Sequence, residues 1–443
     1  MNRLIRGGAV VTCDADHRVL AGDVAVVGNT IVAIGPNART RLPPPYEIVD
    51  ATGCVVMPGL VQTHVHLVQV LFRGMAEDVP LLTWLKQRIW PFEAAHDEAS
   101  LKISAELGLV EMLRTGTTAI MDMGTTHGHD VVLDACARSG IRAVSGKALM
   151  DRGDDVPKRL RETTKGSLRE AERLARSWAG KADGRIQYGF CPRFILSCSE
   201  ELIRGAADLA RDLGQWMHTH ASEHADERRA VQEMLGASDV MLLDSWGFSG
   251  PNAVLAHCVQ VTEDEIAHLA RVKTNVAHCP SANLKLGSGI APVAAMRRAG
   301  VNVGLGGDGA PCNNSLDPWL EMRHAGLLAK VKSGMTSLSA KEILRMATID
   351  GARVLGVDGI SGSLEVGKRA DVIVVDITGA HVAPAIDLMA TLVYATRATD
   401  VRHVLIDGHP IVEHGVVRTL DEARISATAR SEAVRIGKAA GVL

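Results

Sequence analysis

Aromatic residues are scarce: Phe, Trp and Tyr make up 3% of the 443 residues, so the core must be mostly aliphatic. The eight cysteines never fall in C-x-x-C spacing, which argues for reduced thiols and a cytoplasmic protein. Charge is nearly balanced at −3, giving no electrostatic case for nucleic acid or an acidic membrane surface. No apolar run approaches the ~18 residues of a membrane span. The N-terminus (Met1-Asn2-Arg3-Leu4-Ile5-Arg6) turns polar too soon for a signal peptide. There is no low-complexity linker. What is present is ordinary globular composition, 47% hydrophobic and 22% charged, in a chain long enough for a large barrel and a smaller unit.

The first residues read as short strands, Leu4–Val11, Asp23–Val27 and Thr30–Ile34, with a hairpin signal at Gly28-Asn29. From about residue 55 to 355, short apolar runs alternate with amphipathic stretches, the pattern of βα repeats. The spacing predicts eight strands: Val55–His66, Thr117–Gly124, Ile141–Met150, Ile186–Arg193, Gln215–Glu223, Ala253–Val261, Thr274–Ala282 and Asn302–Ala310. Helices are expected between them, such as Glu98–Arg114, Glu200–Leu213 and Glu263–Arg271. Eight such units close into a (β/α)8 TIM barrel, an α/β fold, over residues 57–358. The β-rich ends, 1–56 and 359–443, pair as one small β-sandwich domain, and 421–443 forms a terminal helix.

In such a barrel, chemistry sits at the C-terminal strand ends. His64 and His66 end the first strand two residues apart, so they share a face. Alone they fit either a metal or two structural histidines. The fifth strand adds His220, with Glu223 three residues on; the sixth ends at His257; the eighth reaches Asp308 among glycines, as expected where backbone approaches a ligand. His218 is read as a structural histidine on the opposite face of its strand. Three histidines, an aspartate and a water make an open catalytic metal site, which brings the pKa of water to about 7. Glu223 is placed to relay protons, and His257 to orient water or an oxyanion.

Pro58-Gly59-Leu60-Val61 with His64-Val65-His66, then His220, Glu223, His257 and Asp308, resembles the amidohydrolase superfamily over nearly the whole chain. The resemblance implies one divalent metal, zinc or iron, held by His64, His66, His220 and Asp308. It implies Glu223 as proton shuttle, His257 on the attacking water and Asp308 as acceptor of that water's proton. Cys191-Pro192-Arg193 stands where two-metal members carry a bridging lysine, which favours one metal.

Three stretches resemble the branch that deaminates 5′-modified adenosines: 82–93, 278–292 and 307–314. A small purine is then the expected partner. There the glutamate matching Glu93 holds ribose hydroxyls, and Trp90 shares its stretch; the plain alternative for Glu93 is a solvated helix-end charge. Cys191-Pro192-Arg193-Phe194 instead resembles guanine deaminases, where arginine and phenylalanine receive the base. Adenine has no carbonyl for Arg193, so a guanine, pterin or triazine substrate stays open; ribose oxygens, a charged 5′ tail or a salt bridge at the barrel rim are the other fits for this arginine. Trp84, Trp90 and Phe92 fit either a lid or the interface of a homo-oligomer.

Overall fold

The βα period closes as a barrel. In the computed structural model, which describes residues 1–443, the barrel strands are β1 (Leu60–Val65), β2 (Thr117–Met123), β3 (Arg142–Gly146), β4 (Ile186–Pro192), β5 (Trp216–Ala221), β6 (Ala253–His257), β7 (Asn275–His278) and β8 (Val303–Leu305). All neighbours are parallel, and a two-residue strand, Ala148–Leu149, adds to β4. β8 returns to β1 through a bridge between Val65 and Asp308, where the Asp308 N–H donates to the His64 carbonyl at 2.9 Å. The glycine crowd near Asp308 serves this seam: a Cβ on Gly306 would lie 2.8 Å from the His64 carbonyl oxygen.

The barrel interior is aliphatic, in keeping with the scarce aromatics. Val61, Ala119, Met121, Val144, Val254 and Ala256 fill it, above the helix Ile349–Val354. Helices start and stop where local chemistry dictates. Glu98–Arg114 is capped by Asp97, which accepts the Ser100 N–H at 2.9 Å. Glu200–Leu213 runs from a Ser199 cap to Gly214 at φ +62°.

The stretch read as one strand, Val55–His66, is two strands in different sheets. Cys54–Pro58 lies between Asn2–Val11 and Val372–Asp376 in a sheet built from both chain ends, and the barrel begins after Gly59. Both halves are buried on both faces, so hydropathy runs through the break unchanged. An unforeseen strand, Tyr46–Asp50, pairs with the first half of Asn2–Val11, while Cys54–Pro58 pairs with its second half across a bulge. The sheet doubles over, so that Val26, Val374 and Leu405 share one apolar cluster. Met57, Ile373 and Val404 join the main core and dock this unit onto the barrel. The terminal helix, Glu422–Ala439, lies against Glu98–Arg114, with Arg424 on Glu106 at 3.2 Å. No helix is long and apolar enough to cross a membrane.

Candidate active site

Three imidazoles converge at the barrel mouth, each held by its Nδ1. His66 Nδ1 donates to the Met123 carbonyl at 2.8 Å, His220 Nδ1 to the Arg193 carbonyl at 2.6 Å, and His64 Nδ1 faces His218 Nε2 at 2.7 Å. With the proton on Nδ1, every Nε2 presents a lone pair to the same point. Burial first, then neighbouring imidazoles, lowers the His66 pKa to about 3 and holds His220 well below the usual histidine range. The rings are therefore neutral, the form that binds a cation.

Asp308 completes the set. Its Oδ1 stands 3.3 Å from both His64 Nε2 and His66 Nε2, and His66 Nε2 is 3.2 Å from His220 Nε2. Burial pushes the Asp308 carboxyl up, but the imidazoles of His64, His257 and His66 around it outweigh that and hold it well below the usual carboxylate range. It stays an anion. Glu223 goes the other way: burial, then the nearby Asp308 charge, drives its pKa well above the ordinary value. It keeps a proton where most carboxylates have lost theirs. His257 Nε2 lies 3.7 Å from Glu223 Oε2 and 3.9 Å from Asp308 Oδ2, and its Nδ1 is 2.8 Å from Asn283 Oδ1. His257 and Asp308 both adopt left-handed backbone, at φ +75° and +59°, strain that clusters at functional positions.

The residues fit a metal. Tetrahedral ligands about 2.0–2.1 Å from zinc stand about 3.3–3.4 Å apart, close to the Nε2 and Oδ1 spacings here. His64 Nε2 is buried and without a hydrogen-bond partner, an atom with a lone pair and nothing to receive it. One ligand atom from each of His64, His220, His257 and Asp308 falls within 4.8 Å of the others. The group is a divalent-metal site.

The "Amidohydrolase family" model matches residues 55–411. The chain belongs to the amidohydrolase family. It is 38% identical to the 5′-deoxyadenosine deaminase of Methanosarcina acetivorans over 97% of each chain. It is also 38% identical to the 5-methylthioadenosine/S-adenosylhomocysteine deaminase of Pelotomaculum thermopropionicum, over 98% of this chain and 99% of that one. Among solved structures, an adenosine deaminase from Xanthomonas campestris with bound zinc superposes with a TM-score of 0.92 at 34% identity, covering 98% of each chain.

The cavity of this amidohydrolase opens on His66, His220, His257 and Asp308 and is lined by Gln69, Trp84, Arg193, Phe194 and Leu286 together with Glu223. Arg193 and Phe194 are on the wall as expected, but Glu93 and Trp90 are not. Glu93 is neither solvated nor exposed: Oε2 accepts from Arg193 Nη1 at 2.7 Å and Oε1 from Gln69 Nε2 at 2.9 Å. Arg193 does form a salt bridge, but a buried one. Trp90 packs with Leu81 and Phe194 in an apolar cluster over the site, while Trp84 faces the cavity. Six positions along a helical run do not return to one face, so the two tryptophans diverge. Phe92 stacks on Phe72 at 4.5 Å, beneath the terminal helix.

His218 is a correction. It sits on the same face as His220, as the two-residue period requires, and touches His64. Gln69 went unnoticed as well. Its signal is a single polar residue in the apolar run Leu67–Phe72, three positions after His66 on a 3₁₀ turn, where i and i+3 eclipse.

Proposed function

We propose that this chain is a metal-dependent hydrolytic deaminase of a 5′-modified adenosine (5′-deoxyadenosine, S-adenosylhomocysteine or methylthioadenosine), releasing ammonia and the inosine analogue. The names and full-length similarity of the relatives support the substrate class. The observation that carries the chemistry is geometric: Asp308 Oδ1 stands 3.3 Å from both His64 Nε2 and His66 Nε2, and Glu223, a carboxyl outside that donor set, stands 3.7 Å from His257 Nε2. The zinc in the Xanthomonas structure and the three-nitrogen, one-oxygen donor set support zinc, with iron as alternative. His64, His66, His220 and Asp308 would hold it. His257 stands farther off, with room to contact a water.

When bound, the ion supplies the Lewis acidity that makes hydroxide available near neutral pH. Glu223 gives its proton to the ring nitrogen beside the amino-bearing carbon, which makes that carbon electrophilic. His257, steadied by Asn283, turns Nε2 toward the attacking water, and Asp308 accepts the water's proton. Asp308 then passes that proton to the amino group, which leaves as ammonia, while Glu223 recovers a proton from the hydroxyl left on the ring carbon as it becomes a carbonyl. In this reading residues 57–358 carry catalysis, and 1–56 with 359–443 support them. Eight unpaired cysteines support a cytoplasmic location.

A second reading, a guanine or pterin deaminase, is favoured by Arg193 and Phe194 on the cavity wall. Ammonia release should be measured from 5′-deoxyadenosine, S-adenosylhomocysteine, adenosine, guanine and isoxanthopterin, with zinc-loaded, iron-loaded and chelated protein. Turnover of the 5′-modified adenosines is expected, abolished by chelation and restored by metal. Release from guanine or isoxanthopterin alone would transfer the assignment to the second reading. Release from none would sink the hydrolytic account.

A further inference from the structure

Glu223 is gripped by its backbone, not by its carboxyl. The carboxyl comes no nearer to His257 Nε2 than 3.7 Å, beyond hydrogen-bond reach. Its place therefore depends on the chain that carries it. That chain is a turn just past β5, with Ser222 in the left-handed region at φ +50°. A serine stays there where its surroundings over-determine the turn. The Ser222 N–H and Oγ both donate to Asp239, the hydroxyl at 2.5 Å. The Ser222 carbonyl accepts from the Val259 and Gln260 N–H groups, each at 2.9 Å. The next N–H, that of Glu223 itself, donates to Glu227 Oε2 at 2.8 Å.

Two carboxyls thus take two consecutive N–H groups of one turn. Glu227 comes from the first turn of the helix Ala225–Leu235, and Asp239 opens the helix Asp239–Ser245. They are 2% and 1% exposed. Such a pairing is costly: burial, then the Asp239 charge, pushes the Glu227 carboxyl up. The helix has another cap, since His224 Nδ1 accepts the Asp226 N–H at 3.1 Å. Glu227 stands where a capping-box glutamate would, yet the N–H it takes belongs to the residue before the cap.

We infer that Glu227 is a positioning residue for the deamination: it pins the Glu223 backbone and thereby sets where the Glu223 carboxyl stands. On the deaminase reading, on which this rests, Glu223 must give and take a proton, so its own oxygens cannot be tied down. The backbone is the handle that leaves them free. Placement matters here, because a shift of about 1 Å at a reacting group costs on the order of 100-fold. Glu227 acts toward Glu223 only as an acceptor, and a glutamine amide oxygen can do the same.

The test is a double-mutant cycle on 5′-deoxyadenosine, read as kcat and KM of ammonia release with metal content measured alongside. Glu227→Leu should lower kcat by about 10–100-fold, with KM within about threefold and metal content unchanged. Glu227→Gln should return kcat to within about threefold of wild type. In the Glu223→Gln background, Glu227→Leu should cost less than about twofold more, because the group it positions no longer carries a proton. A merely structural residue costs the same factor in both backgrounds. Wild-type kcat in Glu227→Leu, a full loss repeated in the Glu223→Gln background, or a Glu227→Gln loss equal to that of Glu227→Leu each overturns the inference. Should Glu227→Leu not fold, Glu227→Asp replaces it, with the same expectations, since its carboxyl is withdrawn by one methylene. Wild-type turnover in Glu223→Gln alone would remove the shuttle itself, and this inference with it. An impaired Glu223→Gln beside an unimpaired Glu227→Leu overturns only the positioning role.

Discussion

The two ends of the barrel each bury a polar cluster, and they differ in what is left over. At the mouth, the Nε2 atoms of His64 and His257 and the Gln69 amide oxygen are buried without partners. At the opposite end, Arg142 at the start of β3 reaches into the chain-end sheet, with its Nε and Nη2 both engaged. Its Nη2 meets Asp371 Oδ2 and Asp407 Oδ1, both at 3.0 Å, and its Nε meets Asp371 Oδ2 at 3.2 Å. Ser361 Oγ and the Asp407 N–H add to Asp371 at 2.7 and 2.8 Å. A satisfied network is a staple: it fixes two units in one arrangement.

The contrast can be broken first at the mouth. Glu223→Gln keeps the shape and removes the exchangeable acid, and should lower kcat by about 10²–10⁴-fold with metal content unchanged. Wild-type turnover in that variant would remove Glu223 from the proton pathway. At the other end, Asp371→Ala takes one of two carboxylates from a buried guanidinium and leaves the Asp407 N–H and Ser361 Oγ without their acceptor, and should cost about 3 kcal/mol in denaturant unfolding. kcat/KM of the folded enzyme should stay within about twofold, because the sites are remote from one another. A selective loss of activity would show that the staple is not merely structural.

His218 lies between the two cases, since its Nε2 is used and its buried Nδ1 is not. His218→Phe leaves His64 Nδ1 without an acceptor and should weaken metal affinity about 10–100-fold in chelator competition. Unchanged affinity would make it plain core. A pH-dependent effect is expected at Glu321, which accepts from the Ser281 N–H at 3.1 Å and Asn313 Nδ2 at 2.9 Å. Burial pushes its carboxyl from 4.5 up to about 7, against those hydrogen bonds. The folded state thus holds this proton more tightly than the unfolded chain. The contribution is complete below the unfolded value and is lost as pH rises toward 7, at up to about 1.4 kcal/mol per pH unit. Urea unfolding across that window should show the slope in wild type and not in Glu321→Gln; equal slopes would refute it.

Much of this was legible beforehand. Glu98–Arg114 and Glu200–Leu213 have the expected bounds because Asp97, Ser199 and Gly214 act within one turn. His64 and His66 declare a shared face through their spacing. The same period applied to 218 and 220 would have joined His218 to the site, so that signal was present and misapplied. The break at Gly59 had no hydropathy signal, because both halves are equally buried; its one mark was the Pro58-Gly59 dipeptide. The Glu93–Arg193 pair joins residues 100 positions apart, and no local pattern records such a contact.

Alone, the sequence determined the period of strands and helices, their caps, and the residue types at the strand ends. These follow from hydropathy and hydrogen bonds over a few residues. Only the tertiary structure decided which imidazole nitrogens stand free, that the pKa of Glu223 is pushed up while that of Asp308 is held down, and that Glu93 faces Gln69 and Arg193. Those outcomes depend on desolvation and on charges brought together from distant parts of the chain.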